Sequence, residues 1–340
     1  MARKPRRSGK EYAVLSLCIL VFLSAAIYGF YRTIVRPPEL PEDTFTPSIP
    51  NDTDTTAPPI NNEADPPAEP VFTRKENYFT ILVSGIDNNN GGSDTNILVS
   101  IDGENGEINA VSLPRDTLIN TDWNVKKLNS AYNVGGVERL QQEAANLLGI
   151  PVDYYITVDL AGFTELVNAI GGIYFDVPIA MDYDDPLQDL HIHFEAGRQY
   201  LSGEDALKVV RFRHNNDGTG YGTEDIGRIA TQQAFLKTVA QEMLASLDLT
   251  TLQSYAHIFI EYVDTDLSLG NLVWIGEKAL AMGMENIHFH TLPGDGSGYY
   301  QGISYYILYP EDVLALINSS FNPYEQPLTL EDMDILTAES

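Results

Sequence analysis

The chain has 340 residues, 44 % of them hydrophobic, with 48 acidic against 20 basic side chains and a net charge of −28. That is enough apolar material for one large domain, while so negative a surface repels phosphates and excludes nucleic acid held against a basic face. A single cysteine excludes a disulfide framework and any Cys-x-x-Cys zinc site.

The charge is unevenly spread. Residues 1–36 hold seven bases and one acid, so the remaining 304 residues carry −34. Five of those bases precede Tyr12, and from Tyr12 to Phe30 runs a stretch of 19 residues without a charge. At 1.5 Å per residue this nearly spans a ~30 Å hydrocarbon core. Residues 12–31 are therefore expected to be a transmembrane signal-anchor, longer than the apolar part of a cleaved signal peptide. The basic tail, residues 1–11, would stay in the cytoplasm, and everything after the anchor would lie outside the cell membrane. Residues 32–71 follow as a linker. Ten of the 19 prolines fall in 37–70 among many acids, a composition that cannot bury enough surface to fold and gives an extended spacer.

Globular texture begins near Phe72 and is expected to continue to residue 325, leaving 326–340 as a C-terminal tail. Strand-like runs occupy 78–85, 96–102, 108–113 and 154–159, and another lies at 287–292. Helical periodicity covers 137–148, stopped by Gly149, and 160–170, capped by Asp159 and stopped by Gly171 and Gly172. It returns over 224–247, 271–282 and 311–318. Strands interleaved with helices predict an α/β sandwich with no second domain.

The acidic region after residue 36 has only seven arginines, and three of them, Arg211, Arg213 and Arg228, lie within 18 residues. Arg211 and Arg213 are two apart, so an extended backbone would aim both at one face. Asp225, Arg228 and Gln232 follow at i, i+3 and i+7 and share a helix face, while Ile226, Ile229, Leu236, Val239 and Met243 make the buried stripe. Guanidinium forks converging in a negative domain suit a phosphate or pyrophosphate held bidentately; individual pairing with the many carboxylates is the other reading. In GIDNNNGGSDTN, residues 85–96, a strand ends in a Gly/Asn loop carrying Asp87 and Asp94. Such a pair is able to hold a hard cation bridging to phosphates, as Mg²⁺ does, or simply to shape a turn. SLPRDT, residues 112–117, places Arg115 and Asp116 at the exit of another strand. His191 and His193, and likewise His288 and His290, put two imidazoles on one strand face. With no third ligand near in sequence, both pairs are taken as ordinary alternating strand residues.

The GID…SDTN loop, SLPRDT, KLNSAYNVGG (127–136), DYYITVDLAGFTELVNAIGGI (153–173), LSGEDALKVVRFR (201–213) and the Asp-x-x-Arg-x-x-x-Gln helix, in that order, resemble the LytR-CpsA-Psr family over roughly residues 76–325. The resemblance implies a three-layer α/β/α sandwich with a mixed central sheet. It also implies a membrane-anchored, Mg²⁺-dependent phosphotransferase of a Gram-positive type envelope. Such an enzyme moves an anionic glycopolymer, of the teichoic acid or capsule kind, from a polyprenyl-pyrophosphate carrier to peptidoglycan. Carried over, Asp87 and Asp94 would be metal ligands. Arg115, Arg211, Arg213 and Arg228 would clamp the pyrophosphate, supported by Asp225 and Gln232. Some members are described as transcriptional attenuators, so a non-catalytic glycopolymer-binding or regulatory role, or hydrolysis of the pyrophosphate, stays open. Gly92 departs from the family's usual arginine at that place. Gly92→Arg is expected to tighten donor binding unless the glycine takes a positive φ.

Overall fold

The computed structural model describes residues 29, 31–41, 72–86, 92–187, 190–221, 224–246 and 249–337. The expected cytoplasmic tail, nearly all of the anchor, linker residues 42–71 and Asp87 lie outside them. Among the described residues no helix is long and apolar enough to cross a membrane.

The strands are β1 (Tyr78–Ile86), β2 (Ser93–Asp102), β3 (Glu107–Leu113), β4 (Tyr154–Asp159), β5 (Ile173–Val177), β6 (Met181–Asp185), β7 (Leu190–Phe194), β8 (Gly197–Leu201), β9 (Val263–Thr265), β10 (Ile287–Thr291), β11 (Gly294–Tyr300) and β12 (Ile303–Leu308). The helices are α1 (Leu128–Leu148), α2 (Leu160–Ala169), α3 (Gly203–Arg211), α4 (Glu224–Ala245), α5 (Leu249–Tyr262), α6 (Leu269–Met282) and α7 (Pro310–Ser320).

A six-stranded sheet in the order β10-β3-β2-β1-β4-β9 organises the domain. β1 runs antiparallel to β2 and parallel to β4, and β3 runs parallel to β10, so the sheet is mixed, as expected. Period-2 alternation along β1 and β2 divides their apolar side chains between two faces. Leu82, Leu98 and Val111 pack with Leu140, Ala144 and Leu148 of α1 and with Val313 and Ile317 of α7. On the other face, Phe79, Ile81, Ile101 and Ile108 meet Leu267 and the partly buried Leu272, Trp274 and Ile275. Helices thus cover both faces of the sheet. A third core joins α2, α3 and α4 to the antiparallel pair β5–β8 and to the hairpin β6–β7 that lies between its strands in sequence, through Val167, Ile173, Ile192, Val209, Phe212 and Phe235.

The strand runs at 78–85, 96–102, 108–113 and 154–159 and the helices at 137–148 and 160–170 are found where the periodicity puts them. Asp159 caps α2, its carboxylate accepting from the Gly162 N–H at 2.7 Å. α1 begins nine residues earlier than expected, with a break at Gly135 and Gly136, where the backbone leaves the helical region. The expectation of an extended backbone at Arg211 and Arg213 is corrected: Arg211 is the last residue of α3. Local signals for that helix outweigh the two-residue spacing. Ser202 accepts from the Asp205 N–H, Glu204 and Asp205 occupy the first turn, and Lys208 and Arg211 occupy the last, charges that match the helix dipole. The domain also passes residue 325, because Leu328 and Met333 are buried in the core beside α1 and α7. At the other end, Val35 is buried and the Asn271 side chain of α6 donates to the Arg36 carbonyl at 3.1 Å.

Entry into β1 and β4 depends on Asp153. Its buried carboxylate accepts from the Thr80 N–H, the Thr80 hydroxyl and Arg74 Nη2, each at 2.9 Å. Removing it strands a mostly buried guanidinium, a loss on the order of 3 to 5 kcal/mol for a broken buried pair. Asp153→Ala should lower the unfolding free energy by about that amount in urea titrations.

Candidate active site

Four segments meet at one end of the sheet: the start of β2, the exit of β3, the end of α3 and the start of α4. β3 stops at Pro114, whose carbonyl accepts from the Thr117 N–H at 3.0 Å, and this turn presents Arg115 and Asp116. Arg115 Nη1 ion-pairs with the Asp94 carboxylate across the β2–β3 end. Arg115 Nε lies 3.6 Å from Asp116 Oδ1, and Lys127 Nζ lies 3.1 Å from the same oxygen. Lys127 also sits over the Tyr305 ring, 5.7 Å from its centroid, so this lysine serves Asp116 rather than the place of the missing family arginine.

Arg213 follows the buried Phe212, which ends α3 in an extended conformation. Its pKa is pulled below the ordinary arginine value, first by burial of the guanidinium and then by the charges of Arg228 and Arg115, while Asp94 and Asp116 act the other way. Arg115 and Arg228 are therefore both within electrostatic reach of Arg213, as are the carboxylates of Asp94 and Asp116. Arg211 closes α3 two residues earlier, and Asp225 falls in the first turn of α4, its side chain outside the described part.

Gln232 Nε2 donates to the Val210 carbonyl at 3.0 Å, which ties α4 to the last turn of α3. Three features escaped sequence reasoning. Gln233 Nε2 donates to the His290 carbonyl at 2.6 Å and lies 2.8 Å from Thr291 Oγ1 and 3.2 Å from Ser112 Oγ, fixing α4 to the ends of β3 and β10. Tyr221 packs edge-on against Phe212 with centroids 5.7 Å apart; burial pushes its hydroxyl pKa up, against the pull of Arg228. Gly227 admits this ring, since a Cβ there would stand 2.5 Å from Tyr221 Cβ. The adjacent Gln-Gln pair was the available signal for Gln233; the other two needed the packing.

His290 packs edge-on to Phe321 with Nε2 3.3 Å from Asn109 Oδ1, a structural role. Val167 is fully buried core and Phe163 packs on Phe235. A cavity of about 420 Å³ lies beside α4, lined in part by Ile229, Gln233, Leu292, Pro293 and Tyr306.

Carboxylate oxygens are the donors a hard cation takes. Asp94 offers one at the surface with 45 % of its side chain exposed, and Asp116 Oδ1 is shared between Lys127 Nζ at 3.1 Å and Arg115 Nε at 3.6 Å. The residues present fit Mg²⁺, with the ion pair to Arg115 competing for one Asp94 oxygen.

Fold and site together define an α/β domain with a cationic cluster at one end of a mixed sheet. The chain belongs to the LytR_cpsA_psr family, whose profile matches residues 50–321. It is 31 % identical over 242 residues to the polyisoprenyl-teichoic acid–peptidoglycan teichoic acid transferase TagV of Bacillus subtilis, over 68 % of this chain and 60 % of that protein. Against the transferase of the same description, TagU, of Bacillus cereus, identity is 32 % over 243 residues, 70 % of this chain and 76 % of the relative. The crystal structure of B. subtilis TagV superposes with a TM-score of 0.61 at 25 % identity, covering 77 % of this chain and 99 % of that one.

Gly92 has φ +97°. An added Cβ would meet only Asn133 Nδ2 at 3.5 Å and the Asn129 carbonyl at 3.6 Å, so backbone conformation rather than space is limiting. The expected gain from an arginine is overturned: a side chain in the left-handed region costs roughly 1 to 2 kcal/mol. Gly92→Arg should lower stability by about that amount in urea, with no tighter donor binding by calorimetry.

Proposed function

We propose that this chain is a membrane-anchored transferase that moves an anionic, teichoic-acid-like glycopolymer from a polyprenyl-pyrophosphate carrier to peptidoglycan. The convergence of Arg115, Arg213 and Arg228 around Asp94 in an otherwise acidic domain carries the reading. The names of the curated relatives support it.

The arginines bind the two phosphates of the donor and offset the charge that builds as the bridging P–O bond breaks. Arg115 and Arg213 approach from different segments, so the pyrophosphate is held from two sides and its glycan-bearing phosphorus faces the acceptor. An acceptor sugar hydroxyl attacks that phosphorus, and polyprenyl phosphate leaves. Gln232 and Gln233 position the clamp by fixing α4 to α3 and to the sheet. Asp94, with Asp87, would hold Mg²⁺, which when bound adds positive charge at the phosphate oxygens.

The test incubates purified chain with a short-chain lipid-pyrophosphate glycan, with and without peptidoglycan fragments. Glycan attached to the acceptor supports transfer; phosphate release without attachment, or binding alone, refutes it. In the same assay Asp94→Ala should abolish turnover while leaving the melting curve nearly unchanged. Arg213→Lys keeps the charge but loses the fork, so kcat/KM should fall roughly 5- to 150-fold, or ~1 to 3 kcal/mol. A lysine variant as active as the parent would remove the bidentate role.

The basic tail, uncharged run and proline-rich spacer place the domain outside the membrane in this proposal. Protease added to intact protoplasts should digest it, and full protection alongside lysed controls would overturn the topology.

A further inference from the structure

The hairpin of β6 and β7 carries acids on one strand and histidines on the other. In its register Asp182 faces His193 and Asp184 faces His191, and because the side-chain period is two, all four emerge on one side of the hairpin. Pairing supplies what the His-x-His sequence lacked, a third ligand brought in from across the strand.

We propose that Asp184, His191 and His193 form a site for a zinc-class divalent transition metal. Ligand atoms of the three residues all lie within 4.8 Å of one another. His193 Nε2 is 3.3 Å from Asp184 Oδ1, close to the edge of a tetrahedron with metal–ligand bonds of about 2.0 to 2.1 Å. His191 Nδ1 contacts the same Asp184 oxygen. A second observation bears independently on the site: His193 Nδ1 lies 2.8 Å from Asp182 Oδ1. With a neutral imidazole donating to Asp182, the Nε2 lone pair is directed at Asp184, the carboxylate–histidine arrangement that orients metal-ligating histidines. Two imidazoles and a carboxylate match zinc, copper or nickel better than Mg²⁺, which takes oxygen donors and keeps its waters. Three protein ligands leave a fourth position open to water or to a donor from another molecule.

The hairpin is held independently of any metal. Asn215 Oδ1 accepts from the Asp182 N–H at 2.7 Å, Asn216 Oδ1 accepts from the Asp184 N–H at 2.6 Å, and Asn216 Nδ2 donates to the Asp184 carbonyl at 3.0 Å. Residues 215 and 216 thus pin β6 from behind, and Met181 and Ile192 on the other side of the hairpin are buried in the core. The ligand-bearing side is solvent-exposed, so substitutions on it test binding without disturbing the fold.

The full chain in detergent is titrated with Zn²⁺ by calorimetry, with excess Mg²⁺ present to occupy oxygen-only carboxylate sites. Cobalt(II) replaces zinc in a parallel run to read coordination from its visible absorption. One saturable zinc site and a four-coordinate cobalt spectrum are expected. His193→Ala and Asp184→Ala should eliminate both signals, and Asp182→Asn, which touches no metal, should weaken zinc binding by about 10- to 100-fold. Circular dichroism confirms that each variant is folded. Absence of saturable binding by the parent, or binding by folded His193→Ala equal to that of the parent, overturns the site.

Discussion

Like charges held close together repel, and the arrangement of this domain follows from the need to hold Arg115, Arg213 and Arg228 near one another regardless. In water such a group would disperse. Here two carboxylates, Asp94 and Asp116, stand among the guanidinium groups, and the backbones that carry them are fixed by contacts that do not involve charge. An overall negative domain adds a long-range background that offsets part of the local repulsion.

Rigidity comes from neutral hydrogen bonds and close packing. Gln232 bonds to the backbone of α3 and Gln233 to the ends of β3 and β10, so α4 is tied on two sides within a turn and a half of Arg228. Tyr221 fills the angle between Phe212 and the first turn of α4, a fit that Gly227 permits. Ser202 starts α3 and thereby sets where Arg211 ends it. Because these contacts form on folding, the proposed clamp meets its ligand already assembled and the ordering entropy has been spent beforehand.

Five of the six strands of the central sheet and the helices covering it were legible because their apolar residues recur at periods of 2 and 3.6, whereas the three-residue β9 is too short to carry a pattern. The pairs β5–β8 and β6–β7 were not, because IYFDV, MDYDD and LHIHF are five-residue strands with exposed or charged alternate positions that carry little pattern. Arg211 and Arg213 suggested a common extended face, whereas capping and charge placement made the first of them helical. Asp94, Arg115, Arg213 and Arg228 were recognisable from residue type and order. Gln232 was recognised as a neighbour of the site, but its backbone partner, like the contacts of Tyr221 and Gly227, exists only once two helices have packed. The third metal ligand proposed on β6–β7 is hidden for a similar reason, since strand register brings Asp184 to His191.

The break at Gly135 and Gly136 divides α1 into two helices with separate obligations. The later one supplies Leu140, Ala144 and Leu148 to the core and is constrained by volume at every turn. The earlier one places Asn129 and Asn133 beside Gly92 and is constrained by that contact with the start of β2. A continuous rod would force any adjustment at the loop to propagate into the core as a rotation of all its side chains. With the joint in place, the residues beside the proposed site are free to change for a different ligand while the interior keeps its fit.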